Sequence, residues 1–218
     1  YMAYFDNNAT PPLAESALDS LHKALEGEWS NPSSPYRKAA RVRAGINRSR
    51  EQLAETLGVE PSFLTFTSGA TEANNAVFSY FSPQSSNDSK VLISSIEHPS
   101  VSSPANWYFP DRVDFLETNG EGIVCLEGLE AALNSQGRPI LVSLTAASNE
   151  TGVLQPWKEA AKMCKGFVVY FHCDSTQLLG TLPADDFSLC STFVSSGHKF
   201  GSPKGIGCMV GQDSILFF

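Results

Sequence analysis

Short, almost continuously apolar segments constrain the fold of this 218-residue chain more than any other feature. Turn signals bound each of them, and several are separated by stretches with the periodicity of amphipathic helices. The segments are FLTFT, VLISS, RVDFL, ILVSL, FVVYFH, STFVSS and GIGCMVG. Strands that are apolar on both faces and alternate with helices are typical of parallel sheets covered on both sides. The sequence therefore predicts an α/β fold, with three α/β/α layers around a mainly parallel seven-stranded sheet.

Helices are predicted before and between these strands. LAESALDSLHKALEG carries apolar residues at helical spacing from Leu13 to Leu25, and a longer amphipathic helix is expected to end at Gly58. LEGLEAALNSQG and PWKEAAKMCKG are the helical stretches between later strands.

Charge and cysteine content exclude several classes of protein. Fifteen basic and 23 acidic residues give a net charge of −8, which argues against nucleic acid or an anionic membrane as the main partner. No apolar run is long enough to span a bilayer, and YMAYFDNNATPP lacks the pattern of a secretory signal. The five scattered cysteines form no C-x-x-C pair, so we expect neither zinc nor disulfides but mostly buried thiols of a cytoplasmic protein.

Polar groups follow five of the predicted strands, where an open α/β sheet binds its ligands. FLTFT is followed by SGATEANN, whose turn opens a helix and presents N–H groups that favour an anion. The other four strands are followed by His98, by Asn149, by Asp174 with Gln177, and by His198 with Lys199.

Each of these groups also has an ordinary structural interpretation. The glycine-containing turn could be a simple tight turn, and His98 could cap a helix. Asn149 could be a turn residue, Asp174 a helix N-cap and Lys199 a solvated side chain. Cys173, beside Asp174, is better explained as a core residue than as a nucleophile. A ligand site is favoured because an anion cradle, an acid and a lysine among small residues fall where one cofactor could touch all three.

Pyridoxal 5′-phosphate (PLP) is the cofactor that needs these three groups. Its aldehyde forms a Schiff base with a lysine, and its pyridine nitrogen stays protonated beside a carboxylate so that the ring can accept electrons. Lys199 lies within FVSSGHKFGSPKGIG, whose small residues leave room for a bulky anionic partner. The sequence therefore predicts a PLP site built around Lys199 and Asp174.

The same segments resemble the cysteine desulfurases of the class V aminotransferase superfamily, which have fold type I. The matching stretches are YFDNNAT, NPSS, FTSGATEANN, EHPS, SNETGVLQP, HCDSTQLLG and SSGHKFGSPKGIG. Two of them, TSGATEANN and GSPKGIG, are closer to the NifS/IscS branch than to the SufS branch. The resemblance implies a PLP enzyme that converts L-cysteine to L-alanine and holds the sulfur as a persulfide. The sulfur then passes to iron–sulfur cluster or thio-cofactor assembly.

The resemblance also implies a role for each residue of the site. Lys199 holds the cofactor aldehyde, His98 stacks on the ring and assists acid–base steps, and Asp174 pairs with the ring nitrogen. Gln177 bonds the phenolic oxygen, and Asn149 lies near that oxygen and the substrate carboxylate. The implied phosphate contacts are Gly69, Ala70, Thr71, Ser196 and His198. The implied substrate contacts are Asn8, Ala9, Thr10 and Asn149.

Departures from the family bear on what this chain does alone. The family's nucleophilic cysteine, its substrate-binding arginine and most of its small domain correspond to positions beyond Phe218. None of the five cysteines matches that nucleophile. We expect residues 1–12 to form a substrate-side arm and residues 13–218 the PLP-binding large domain. Tyr36 replaces a histidine usual after NPSS, and Ser202 interrupts a usual Gly-Pro; neither change removes a cofactor contact.

Alternative functions remain open at this point. The chain could be another class V enzyme, such as an aminotransferase or selenocysteine lyase, although many aminotransferases place an aromatic ring where His98 stands. It could also be a PLP-binding module without turnover. A nucleotide-binding domain is disfavoured because no G-x-G-x-x-G or P-loop motif occurs. The resemblance further implies a homodimer that takes a small amino acid and serves a sulfur-acceptor protein.

Overall fold

A computed structural model of the chain describes residues 3–86, 88–183 and 186–212. The strands are β1 (Leu64–Thr67), β2 (Val91–Ser94), β3 (Val113–Leu116), β4 (Leu141–Thr145), β5 (Tyr170–Asp174), β6 (Thr192–Ser196) and β7 (Gly207–Gly211). They form one seven-stranded sheet in the order β1-β7-β6-β5-β4-β2-β3. Neighbours are parallel except at β7, which is antiparallel to both β1 and β6. The prediction of a mainly parallel seven-stranded sheet is confirmed.

Helices cover both faces of this sheet. They are α1 (Glu15–Gly27), α2 (Arg37–Leu57), α3 (Ala70–Phe81), α4 (Pro99–Tyr108), α5 (Leu126–Asn134) and α6 (Trp157–Gly166). Helix α2 ends at its C-cap residue, Gly58, as predicted. Gly58 adopts a left-handed conformation with a φ of 66°, which glycine takes at little cost. None of the helices in the described part of the chain is long and apolar enough to cross a bilayer.

Two apolar clusters, one on each face, hold the layers together. Side chains of α5 and α6 form the first with β5 and β6, and side chains of α3 and α4 form the second with β2 and β7. Strand β2 shows the division, since Leu92 belongs to one cluster while Val91 and Ile93 belong to the other. Burying one such side chain stabilises the fold by roughly 1.5–3 kcal/mol. The near-continuous apolar character of the strands is thus explained by burial on both faces.

Two local features differ from what the sequence indicates. Strand β5 begins at Tyr170 rather than Phe167, because the N–H groups of Phe167 and Val169 bond the last turn of α6 and Val168 turns with a φ of 59°. Helix α1 has the predicted periodicity but no buried residue. The expected arm (residues 1–12) and large domain (residues 13–218) both extend outside the described ranges, so this division stays a prediction.

Candidate active site

A pocket lies at the carboxyl ends of the central strands. Nine of the predicted site residues line it: Ala70, Thr71, His98, Asn149, Asp174, Gln177, Ser196, His198 and Lys199. Its lining also includes Ser100, Thr145, Ala147 and Thr176. Because β4, β5 and β6 are consecutive neighbours in the sheet, their ends bring side chains that are distant in sequence to one rim. The predicted convergence of polar strand ends is therefore present.

Lys199 ends a short turn, Gly197–Lys199, directly after β6. Its Nζ donates a hydrogen bond of 2.7 Å to the backbone oxygen of Asn8. Partial burial lowers the pKa of the Lys199 amine, while the charges of Asp174 and Asp6 act in the opposite direction. A lowered pKa increases the fraction of unprotonated amine, which is the form that attacks a carbonyl.

Two glycines allow the chain around Lys199 to pack closely. A Cβ on Gly197 would lie 2.8 Å from the Cβ of Ser202, and a Cβ on Gly180 would collide with Phe200. Gly180 also has a φ of 81°, in the left-handed region, where glycine carries no steric cost. Small residues around Lys199 therefore allow close packing of its turn and also leave space beside it.

Asp174 is the last residue of β5 and is 5% exposed. Its Oδ2 accepts a 3.0 Å hydrogen bond from Asn74 Nδ2, and its Oδ1 accepts one of 3.0 Å from the Thr176 N–H. The second contact forms a turn, so Asp174 does not act as the helix N-cap considered from sequence. The carboxylate is held from two sides and lines the pocket.

The start of α3 has the geometry expected of an anion cradle. Its N-cap residue, Gly69, has no side chain to cap the helix, so N–H groups face the pocket side at the positive end of the helix dipole. Ser196 Oγ lies 3.4 Å from the Ala70 N–H and 3.2 Å from His198 Nδ1. Burial, then Lys199 and Lys204, lowers the pKa of His198.

His98 and Gln177 have defined contacts, whereas Asn149 lies in an exposed turn. His98 is the N-cap of α4, and its Nδ1 accepts from the Ser100 N–H at 3.1 Å. The capping interpretation of His98 is thus correct, and the same ring also lines the pocket. Gln177 Nε2 donates to the backbone oxygen of Asn8 at 3.3 Å.

The amino-terminal arm reaches the pocket through its backbone. The Asn8 oxygen receives both Lys199 and Gln177, and the Tyr4 hydroxyl steadies the turn by donating to the Thr10 oxygen at 2.9 Å. Ala9 is exposed within that turn. Thr10 and Gly69 line an adjoining hollow behind the cradle rather than the main pocket.

Four residues around Asp174 went unnamed at the sequence level: Asn74, Glu97, Ser100 and His172. Asn74 and His172 are fully buried; a histidine within the apolar run FVVYFH is a signal that could have singled out His172, whereas the polar neighbours of Asn74 hide it. Glu97 Oε1 accepts from Ser94 Oγ at 3.0 Å and from the Thr145 N–H at 2.7 Å. Burial, then the charge of Asp174, raises the pKa of Glu97 to about 8.

The cysteines lie away from this chemistry. Cys125 is partly buried and the other four are buried, and all are free thiols. Burial raises the pKa of Cys164 to about 12 and that of Cys208 to about 11, and thiols of that kind are poor nucleophiles. None of the five lines the pocket. The described residues also contain no group of ligands suited to a metal ion.

PLP fits the groups that the pocket presents. The cofactor carries an aldehyde, a basic ring nitrogen and a phosphate, and the pocket offers an amine of lowered pKa, a buried carboxylate and the amino-terminal end of α3. Lys199, Asp174 and the cradle from Ala70 to Thr71 would hold these three parts. The donor set is therefore consistent with PLP.

Comparison with known proteins agrees with this chemistry. Residues 3–217 match the family model described as aminotransferase class-V. Cysteine desulfurase IscS of Dictyoglomus turgidum is 32% identical over 210 residues, which cover 94% of this chain and 53% of that protein. A NifS-like protein superposes with a TM-score of 0.92 at 28% identity, covering 99% of this chain and 60% of the other.

A further solved structure, SspA in complex with cysteine, has a TM-score of 0.89 at 28% identity and covers 98% of this chain and 62% of that one. The chain spans about half the length of the curated relatives that it matches. Class V aminotransferases and the cysteine desulfurases among them are PLP-dependent. The family match extends over nearly the whole sequence, and the chain belongs to the class V aminotransferase family.

Proposed function

We propose that this chain is the cofactor-binding part of a PLP-dependent cysteine desulfurase. The observation that carries the proposal is the meeting of the Lys199 amine, the Asp174 carboxylate and the start of α3 in one pocket. The IscS and NifS-like relatives support it, as does the similar structure that was solved with cysteine.

The residues of the pocket divide the work of such a reaction. When bound, PLP supplies an electron sink for negative charge at the α-carbon of an amino acid. Asp174 would pair with the ring nitrogen and would favour its protonated form, because an opposite charge nearby stabilises a cation. Lys199 takes up and returns the proton at the α-carbon. Thr71, Ser196 and His198 hold the phosphate.

The remaining pocket residues orient the substrate. Asn149 and Gln177 lie where they can hold the phenolic oxygen and the substrate carboxylate, and the turn of Asn8, Ala9 and Thr10 covers the substrate side. His98 offers a ring that stacks on the cofactor. The sulfur-accepting thiol is not among the five cysteines, since none lines the pocket, so the proposal assigns that step to the part of the relatives that this chain does not span.

Cofactor binding has a direct test. PLP added to the chain is expected to give an absorbance band near the visible edge, which borohydride bleaches, with mass spectrometry locating the reduced adduct on Lys199. Lys199→Ala should lose the band. Lys90→Ala is the matched control, because Lys90 pairs with Asp114 at the far edge of the sheet, at 2.9 Å. A band that survives in Lys199→Ala would contradict the assignment.

Turnover has a separate test. We expect a protein of the relatives' full length to release alanine and sulfide from L-cysteine, whereas this chain alone binds PLP without turnover. Alanine formed by this chain alone would contradict the assignment of sulfur transfer to the part of the relatives that it does not span. Formation of a keto acid instead of sulfide would favour an aminotransferase.

Assembly and location belong to the same proposal. We infer a cytoplasmic homodimer that serves a sulfur-acceptor protein. Exposed apolar side chains near the amino terminus support a covering subunit, since Phe5 is 90% and Trp29 70% exposed, and such patches mark interaction sites. Light scattering after size-exclusion chromatography of the longer form should give twice the monomer mass.

A further inference from the structure

Asn74 lies at the centre of a buried hydrogen-bond network behind the pocket. Its side chain is fully buried on α3. Nδ2 donates both of its hydrogens, one to Asp174 Oδ2 and one to Ser100 Oγ, each at 3.0 Å. Oδ1 lies 3.0 Å from His172 Nε2. All the hydrogen-bonding groups of this amide are therefore used, and two of its partners line the pocket.

Because Asp174 is a carboxylate, it determines which atoms of the Asn74 amide donate and which accept, and so which nitrogen of His172 carries the proton. A carboxylate accepts but does not donate, so the amide must turn its NH₂ group toward Asp174 and its oxygen toward His172. His172 must then carry its proton on Nε2, and its Nδ1 accepts from Thr192 Oγ1 at 2.8 Å. Burial lowers the pKa of His172 to about 4, which keeps this ring neutral near pH 7.

The same direction passes through Ser100 to His98. The Ser100 N–H donates to His98 Nδ1 at 3.1 Å, so this nitrogen is an acceptor. Ser100 Oγ, which accepts from Asn74 and lies 2.8 Å from the same nitrogen, then donates its own hydrogen there. With two donors at Nδ1, the neutral ring of His98 carries its proton on Nε2.

We propose that Asn74 is a positioning residue that orients the Asp174 carboxylate and, through the Ser100 hydroxyl, favours the Nε2 tautomer of His98. Because an amide is neutral, it holds Asp174 without cancelling the charge that a cationic ring nitrogen would use. The use of this arrangement for PLP rests on the proposed function, whereas the bond directions follow from the contacts of the chain itself. A helix asparagine that merely filled space would leave both histidine tautomers unaffected.

Nitrogen-15 NMR of the chain without PLP tests the tautomers directly. The chain contains four histidines, so single substitutions assign each ring. We expect His172 to be neutral at pH 7 with its proton on Nε2, and the neutral form of His98 to carry its proton on Nε2 as well. A charged His172, or a proton on Nδ1 of either neutral ring, would overturn the proposal.

Asn74→Asp keeps the shape of the side chain and removes the donor to Ser100, and it leaves two carboxyl groups sharing a proton where the amide held Asp174. We expect Ser100 to turn its hydrogen to the new carboxylate, so that the preference of His98 for Nε2 falls about fivefold to tenfold, the equivalent of one neutral hydrogen bond. PLP affinity should fall at least tenfold. Asn75→Asp is the matched control, since Asn75 is exposed on the same helix and bonds only the Thr71 oxygen within that helix. Equal effects of the two substitutions would contradict the proposal.

Ser100→Ala provides a second variant if Asn74→Asp does not fold. It removes the hydroxyl between Asn74 and His98 but leaves the contact of Asn74 with Asp174. The preference of His98 for the Nε2 tautomer should fall; an unchanged preference would overturn the relay through Ser100. A chain that has the expected tautomers but forms no Lys199 adduct would overturn the proposed function and support this inference.

Discussion

The floor of the pocket, formed by Asp174 with Asn74 and His172 behind it, differs from the amino-terminal end of the chain in burial and in the number of side-chain contacts. At the floor, Asp174, Asn74 and His172 are buried and bonded to one another. At the amino-terminal end, the arm meets the pocket through one backbone oxygen, that of Asn8, and α1 buries no residue. The contrast shows that the described residues bury and bond the Asp174 side of the pocket among themselves. The substrate side, by our proposal, needs a covering partner.

Gly207→Ala should have the largest effect on stability, because Gly207 packs directly against the backbone of β6 and of the start of α3. A Cβ at Gly207 would lie 2.6 Å from the Ser195 oxygen and 2.7 Å from the Gly69 Cα. Both neighbours are backbone atoms, so the start of α3 must shift away from β7. We expect a loss of about 3 kcal/mol in the free energy of unfolding, measured by urea denaturation. Gly137→Ala is the control, since nothing lies within 4 Å of its Cβ position; equal losses would contradict the account.

Asp174→Asn is expected to have the next largest effect, on cofactor binding rather than folding. The substitution keeps the shape and can still accept from Asn74, but it removes the charge opposite the ring nitrogen. A hydrogen bond to a charged group contributes about 1.5–3 kcal/mol, so PLP affinity should fall about tenfold to a hundredfold. Absorbance titration with PLP measures this. Asp114→Asn, at the exposed contact with Lys90, should leave the affinity unchanged.

Glu97→Gln tests the cost of a carboxyl buried in the floor. The pKa of Glu97 is raised from 4.5 to about 8, so the folded chain keeps a proton that the unfolded chain releases as the pH rises between these values. Folding stability should therefore fall with rising pH in this window, by at most about 1.4 kcal/mol per pH unit from this group. Glutamine cannot ionise, so Glu97→Gln removes the contribution of Glu97 to the slope of folding stability against pH.

Urea denaturation at pH 6, 7 and 8 measures this slope. Glu97→Gln should gain on the unsubstituted chain as the pH rises, whereas Glu130→Gln, on the exposed side of α5, should follow it in parallel. A gap between Glu97→Gln and the unsubstituted chain that does not widen with pH would contradict a raised pKa for Glu97.

The same contrast explains how much could be predicted from sequence. The strands, their mainly parallel order and the cradle, acid and lysine at their ends are local signals, because apolar runs and turn residues report burial and chain reversal directly. Asn74 gives no such signal, since its role depends on a contact with His172 across 98 residues, and the position of His172 in an apolar run does not reveal its partner. The start of β5 was misplaced because Phe167 and Val169 are as apolar as strand residues but close the preceding helix.

Asn8→Ala should have the smallest effect, and it tests the contribution of the arm. Lys199 and Gln177 bond the backbone oxygen of this residue rather than its side chain, so alanine preserves both contacts. Because Asn8 is exposed, we expect a change below about 0.5 kcal/mol in the free energy of unfolding and no loss of PLP affinity. In the longer protein, by contrast, the same substitution should raise KM for L-cysteine if the arm lines the substrate side. An equal loss of PLP affinity in both forms would instead place Asn8 with the floor, as a cofactor contact.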